Sequence, residues 1–442
     1  MNRLLPCLLL AASVLLAGCK LSGGSSSDSG DSGSLDKTFN NPYGFSVFAE
    51  DSGGAVTFMR MTLQDDESIV LAGSAMPISD LSRLAVARYF SDGRLDESFG
   101  QGGMVIYSAG SDNTNSGQDV ALQDDGRIVV CGHTSNEGTG GALVVRLNAD
   151  GTLDASFGTN GAVVVPILEN GVAGGMALAI QPDGAILVAG VSLSPTVFGR
   201  GFVLRLNDDG SLDTGFGTGG IFTMDEDFHF SMLGGLTLDG AGTIVASGAR
   251  AETQTSVTRP LLVGLTSQGR LDPSFGDDGL AVWNDPDDVG GQLVDLVRDT
   301  DGSLIAAGLL GTYSDGSDML VLKFDRNGSL DTNFGDDGAF ILDRSAQDEL
   351  HGLALRSDGR ILAVGTADDG EVVKLTLLEL APDGELDYDF AHEGLFTFQP
   401  DANDLTAGTD VAVQPGLGIL ACGVTQADTV SPEEGLVLRV RQ

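Results

Sequence analysis

Apolar positions along this chain come in short runs with strand-like spacing, and no stretch beyond residue 31 shows the 3.6-residue period of a helix. The segment Gly102 to Gly158 shows the pattern. Met104-Val-Ile-Tyr is a four-residue run, followed by a polar stretch. Asp119-Val-Ala-Leu-Gln alternates and stops at the turn signal Asp124-Asp-Gly126. Ile128-Val-Val-Cys-Gly is almost continuously apolar, which suits a strand buried on both faces. A Gly-rich stretch leads to Ala142-Leu-Val-Val-Arg-Leu, which ends at Asn148-Ala-Asp-Gly151. The segment thus predicts four short strands joined by Asp-Gly turns.

The same pattern recurs. Its clearest marker is Gly-x-Leu-Asp-x-x-Phe, with aspartates at Asp36, Asp96, Asp154, Asp213, Asp272, Asp331 and Asp387. From Asp154 to Asp213, Asp272 and Asp331 each step is 59 residues. Four-stranded antiparallel units repeated around an axis make a propeller, and stacked in a line they make a solenoid. The chain ends favour the ring. Leu436-Val-Leu-Arg-Val-Arg-Gln442 matches Leu143-Val-Val-Arg-Leu in pattern and stops where an Asp-Gly turn is due. The N-terminal copy starts at that same turn, Ser32-Gly33-Ser-Leu-Asp36, and runs into Phe45-Ser-Val-Phe48. The prediction is an all-β, closed propeller over residues 32–442. It has seven four-stranded blades, the last completed by both termini, so no open sheet edge ends the array.

These repeats resemble the delta-60 repeat family of bacterial envelope and surface proteins. Segments that carry the resemblance include Arg146-Leu-Asn-Ala-Asp-Gly-Thr-Leu-Asp-Ala-Ser-Phe-Gly158 and Gln181-Pro-Asp-Gly-Ala-Ile-Leu-Val-Ala-Gly190. The resemblance covers residues 32–442 and implies a propeller fold without a settled activity.

The start of the chain is different in kind. Arg3 precedes a short apolar run, Leu4 to Leu16, which fits the h-region of a secretory signal and is too short to span a bilayer. It ends in Leu16-Ala17-Gly18-Cys19, which resembles a lipoprotein lipobox. Residues 1–18 are therefore expected to be removed and Cys19 to be lipidated. Residues 19–31, rich in Gly, Ser and Asp, read as a tether. By the same resemblance, Lys20 after the cysteine leans toward the outer membrane. The expected location is the bacterial cell envelope, with the lipid as membrane partner.

Composition narrows the partners. Lys plus Arg total 23 against 63 Asp plus Glu, a formal charge of −40, which argues against nucleic acid and anionic surfaces. Four cysteines are present, without a CxxC pair. Cys131 and Cys422 occupy the same repeat position as Ala72, Ala189, Ser247, Ala307 and Val364, so they read as packed thiols.

In a meander the loops alternate between two faces. The near-identical turns, those around Gly126 and the Leu-Asp-x-Ser-Phe motif, share one face, here called the turn face. The two variable loops of each repeat fall on the other, the variable face, where binding residues are expected. Its blade-entry loops are acidic: Glu50-Asp51, Asp112, Asp225-Glu226-Asp227, Asp285-Pro-Asp287-Asp288, Asp348-Glu349, and Asp401 with Asp404. Such a rim suits a basic partner or Ca²⁺, the one cofactor the loops suggest. The turns Asn-x-Asp-Gly imitate a calcium loop, but the first ligand position holds Arg146 and, in its counterparts, Arg88, Arg205, Gly264, Lys323 and Glu379, so only one copy could supply a carboxylate. They read as hairpin turns, with Arg146 and Asp154 as a blade latch.

No nucleophile elbow, HExxH or phosphate loop is present. His229 and His351 are placed to approach the channel mouth, and Trp283 lies near the Asp285 loop. The candidate binding face is thus Asp225, Glu226, Asp227, His229, Trp283, Asp285, Asp287, Asp288, Asp348, Glu349 and His351, although Trp283 reads first as core packing and only second as a stacking surface for a sugar ring. The leading reading is a non-enzymatic, lipid-anchored propeller that binds or scaffolds an envelope protein or glycan. The alternatives are a propeller enzyme acting on envelope carbohydrate near His229, Trp283 and His351, and a calcium-stabilised surface adhesion module.

Overall fold

Twenty-eight strands, arranged in seven antiparallel groups of four, account for the propeller in the computed structural model. The structure describes residues 32–442 apart from 50–52, 79, 226–227, 241, 255, 313–315, 345–346, 369–371, 403 and 429–430. The signal segment, Cys19, the tether, Glu226 and Asp227 therefore lie outside the described residues.

The innermost strands are Ala55–Leu63, Thr114–Leu122, Val172–Ile180, Phe230–Leu238, Gly291–Arg298, Asp348–Leu355 and Leu405–Gln414, in blades 1 to 7. Each runs from the variable face to the turn face, and neighbouring inner strands pack around one axis. Blade 7 is the composite: Leu405–Gln414, Gly418–Gln426 and Glu434–Val440 from the C-terminus, closed by Phe45–Phe48, which pairs antiparallel with Glu434–Val440. Blades 2 and 3 are also joined by a single bridge between His133 and Gly174. The sequence repeat and the blade are out of phase. Met104–Tyr107 opens a repeat in sequence but is the outermost strand of blade 1, paired with Arg83–Tyr89.

The repeat motif makes sense at the blade interfaces. Its phenylalanines, Phe39, Phe99, Phe157, Phe216, Phe275, Phe334 and Phe390, are all buried. The motif glycine of the next repeat lies against six of the rings, while Gly33 lies against Ala391, next to Phe390: Gly151 at φ 87° has Phe99 and the Gly100 amide within 3.0 Å of where a Cβ would stand. The latch is present as well. Arg146 Nε donates to Asp154 Oδ2 at 2.8 Å, its Nη1 donates to the Asp208 carbonyl of the next blade, and its guanidinium lies 4.6 Å from the Phe157 ring centre. Arg88–Asp96 and Arg205–Asp213 repeat the device. In blade 4 the latch residue is Gly264, and the Phe275 ring fills its place. Asn148-Ala-Asp-Gly151 is a hairpin turn whose Asp150 accepts the Thr152 amide. Cys131 and Cys422 are free and buried in separate blade interfaces.

Candidate functional site

All seven inner strands carry a β-bulge at the same height. A bulge re-aims the residue that follows it. The residues so placed form a ring: Arg60, Asp119, Ala177, Gly235, Asp295, Gly352 and Asp410. The three aspartates work alike. Asp119 accepts its neighbour's amide, Val120, at 2.7 Å and the Leu178 amide of blade 3 at 2.7 Å. Asp295 accepts Leu296 at 2.8 Å and Leu353 of blade 6 at 2.7 Å. Asp410 accepts Val411 at 2.9 Å and Met61 of blade 1 at 2.7 Å. Each carboxylate thus staples its own bulge to the next blade, and each is followed by a blade whose ring residue is not acidic. The equivalent amide in blade 4, Leu236, follows Gly235 and is reached by none of the three.

Arg60 lies across the axis. Its Nη1 donates to the carbonyls of His351 in blade 6 and Thr409 in blade 7, both at 2.7 Å. Its guanidinium stands 3.8 Å from Asp295 and 3.9 Å from Asp410. Burial pushes the carboxyl of Asp119 up to about 6 and that of Asp410 up to about 7, with Arg60 pulling the other way in both. Without that cation the cost of holding three carboxylates together, Asp410 buried and Asp119 and Asp295 partly so, would be larger still. A cavity of about 210 Å³ adjoins the ring, lined by Arg60 and the three aspartates together with Leu236, Val297 and Leu353. Those apolar residues follow the ring along their strands, so the cavity lies toward the turn face, not the variable face.

The predicted face residues separate into three groups. Asp348, Glu349 and His351 lie within the inner strand of blade 6 rather than in its entry loop, so the reading of the first two as loop carboxylates is corrected. Both acids are buried. Glu349 accepts from Ser317 Oγ at 3.3 Å, and burial, with Asp348 adding, raises its carboxyl to about 7 against that hydrogen bond. His351 Nε2 stands 3.8 Å from Glu349 Oε2, and burial beside Arg60 lowers its imidazole to about 4, so it is neutral. The second group keeps to the loops. His229 packs its ring 4.9 Å from that of Phe198, and Asp225 is exposed. Asp285 accepts the amides of Asp287 and Val289 within its own turn, and Asp288 pairs with Arg259. Trp283 stands alone. It is 7% exposed, packed between blades 4 and 5, and donates its amide to Pro260. It is core and offers no stacking surface. Among the described residues, no three His, Cys, Asp or Glu side chains converge in a way that would hold a metal ion.

Sequence reasoning missed the ring. Its one available signal was an aspartate inside an otherwise apolar strand at Asp119, Asp295 and Asp410, where the other repeats have Ala, Gly or Arg. It also missed His133, whose Nδ1 lies 2.6 Å from Ser116 Oγ and whose Cβ lies 3.7 Å from where a Cβ on Gly174 would stand.

Comparison with known proteins agrees with this architecture. A family model described as Domain of unknown function (DUF5122) beta-propeller matches residues 64–99, 123–157, 181–216, 300–334 and 356–390. No curated protein matches the chain. Among solved structures the fold is similar to a polysaccharide lyase, an ulvan lyase bound to GlcA(1-4)Rha3S, at 10% identity and TM-score 0.53, covering 93% of this chain and 95% of that one. It is also similar to a protein of unknown function from Dyadobacter fermentans, at 14% identity and TM-score 0.44, covering 90% and 98%. Virginiamycin B lyase from Staphylococcus aureus gives 11% identity and TM-score 0.45, covering 90% and 99%. At such identities the likeness is one of fold, shared by enzymes and by proteins of unknown function alike. Each matched family segment runs from the turn after an inner strand to the buried motif phenylalanine, so five of the seven repeats are similar to the DUF5122 beta-propeller model.

Proposed function

We propose that the protein is a lipid-anchored propeller of the bacterial envelope whose variable face is a binding platform without catalytic chemistry. The observation that carries this reading is the state of the axis. The polar groups of the ring are engaged in holding blades together, Arg60 across blades 1, 6 and 7 and three aspartates across blade pairs. That leaves the variable loops as the surface free to specialise. The chain also enters the ring at Ser32, on the turn face. A tether from Cys19 to that point keeps the turn face toward the membrane and directs the variable loops away from it.

The test is affinity capture from native envelopes with two loop variants side by side. A partner should be lost with Phe198→Ser plus Asp285→Asn on the variable face and kept with Asp150→Asn plus Asp209→Asn on the turn face. Loss with the turn-face pair alone would refute the platform.

A second reading, an enzyme acting on envelope carbohydrate, draws on one observation: the neutral His351 imidazole 3.8 Å from a Glu349 carboxyl that holds its proton near neutrality. Such a pair is suited to general acid–base chemistry. Glycan cleavage by the purified protein that survives both His351→Ala and Glu349→Gln would remove this reading.

A further inference from the structure

Large apolar side chains exposed on the turn face gather on three consecutive blades, beyond the motif leucines that every repeat carries. Tyr388 in blade 6 is 70% exposed, Tyr43 and Leu417 in blade 7 are 60% and 45% exposed, and Phe90 in blade 1 is 39% exposed. Each departs from its own repeat. At the Tyr388 position the other six copies have Lys, Glu, Ala, Thr, Pro and Thr. At the Phe90 position the other complete copies have Asn, Asn, Thr, Asp and Ala. Leu417 stands where five inner turns have glycine and one has Glu67. Tyr43 sits in a turn one residue longer than its counterpart, Phe39 to Gly44 against Phe99 to Gly103.

These four turns touch in sequence. Ala391 donates its amide to the Ser32 carbonyl, Asn40 donates to Asp92, and Gln414 Nε2 donates to Ser91. Ser32, where the N-terminal segment joins the ring, lies among them. We infer that this edge of the turn face, formed by blades 6, 7 and 1, rests on the membrane surface into which the Cys19 lipid is inserted. The inference rests on the anchored reading given above.

The occupant follows from reach and chemistry. Residues 20–31 separate the lipidated cysteine from Ser32. Twelve residues reach at most about 40 Å. The bilayer is therefore held within contact distance, and tethering to it raises its effective concentration enough for modest contacts to matter. Tyrosine favours the headgroup level, where the ring is sheltered and the hydroxyl stays wet, while Phe90 and Leu417 suit shallow insertion. The formal charge of −40 disfavours an anionic surface, so the match is to zwitterionic headgroups.

The experiment compares the lipidated protein in phosphatidylcholine vesicles and in detergent micelles by hydrogen exchange, with the intact mass recorded on the same sample. Amides of residues 32–44, 90–98, 387–394 and 414–418 should exchange roughly threefold or more slowly in vesicles, with the variable loops unchanged. A variant carrying Tyr43→Ser, Phe90→Asn and Tyr388→Thr should keep its melting temperature and lose the protection. Protection on the variable face, or none in a protein whose lipid mass is confirmed, would overturn the membrane contact. Equal protection in micelles that grows with protein concentration would assign the edge to a second copy instead. A mass without lipid would overturn the anchor itself, and the contact with it.

Discussion

Arg439 Nε donates to Asp36 Oδ2 at 2.8 Å, joining the last strand of the chain to the first turn across 403 residues. The same guanidinium reaches the Ser91 carbonyl of blade 1 and the Gln414 side chain, so one side chain ties blade 7 internally and to its neighbour. Both partners are nearly fully buried. Removing one member of a buried pair leaves the other charge uncompensated, at a cost of about 3 kcal/mol or more. Arg439→Ala should therefore lower the urea midpoint well beyond the effect of exposed substitutions such as Arg94→Ala. Arg439→Met with Asp36→Leu should recover part of the loss. Equal midpoints for the single and double variants would show that the ring is not closed by this pair.

Arg60 supports a second prediction. Its replacement by methionine keeps much of the bulk and leaves Asp119, Asp295 and Asp410 with no nearby cation. The penalty should be several kcal/mol at pH 8, on the scale of a broken buried ion pair. It should shrink at pH 5, where Asp119 and Asp410, already raised to about 6 and about 7, take up protons. Urea midpoints at the two pH values check this, and a loss independent of pH would mean that packing, not charge, sets the effect.

The wild-type pH profile has a sign that can be worked out. Asp410 and Glu349 (about 7) and Asp119 (about 6) sit above the unfolded carboxyl range, so the folded state binds more protons there and stability rises as pH falls through 7. His351 and His133, lowered to about 4 by burial, act in the opposite sense between about 6.5 and 4. Asp154 is lowered to about 2: partial burial opposes the shift, but the Ser156 hydroxyl and amide and Arg146 outweigh it. Asp36, Asp96 and Asp213 are lowered as well. Their stabilisation is lost as pH falls below about 4. The melting temperature should climb from pH 8 to about 6.5, flatten, and fall steeply below 4. A monotonic rise from pH 5 to 9 would contradict the assignment of raised carboxyls to the channel.

What the sequence made legible was whatever repeats. The motif Asp and Phe recur at a fixed interval because every motif Asp accepts the amide two residues on in its own turn and every motif Phe is buried, so the blade number and the closing strand follow from the spacing alone. The channel did not repeat. One carboxylate serves two amides, so Asp119, Asp295 and Asp410 suffice for six blades and leave Ala177, Gly235, Gly352 and Arg60 looking unrelated. The bulge adds a further obstacle, because the inserted residue breaks the two-residue alternation by which inward positions are recognised. Asp348 and Glu349 look like loop acids for a related reason: polar residues at the start of a strand are indistinguishable in sequence from the end of a loop.

The turn glycines separate two costs that sequence alone would merge. Gly126 and Gly151 both end Asp-Gly turns, with φ of 82° and 87°. A Cβ on Gly126 would meet only the Ala149 methyl group, at 3.9 Å. A Cβ on Gly151 would lie 2.8 Å from the Gly100 amide and 3.0 Å from both the Phe99 ring and Val105. Gly126→Ala should therefore cost about 1 kcal/mol, the price of a left-handed backbone alone. Gly151→Ala adds the displacement of a buried ring at the interface of blades 1 and 2, and should cost about 3 kcal/mol in total, since packed interiors resist an added methyl group. Thermal melts of the two single variants decide it. If they melt together, the motif glycine is retained for its backbone conformation, and the close approach of the Phe99 ring is incidental to the repeat.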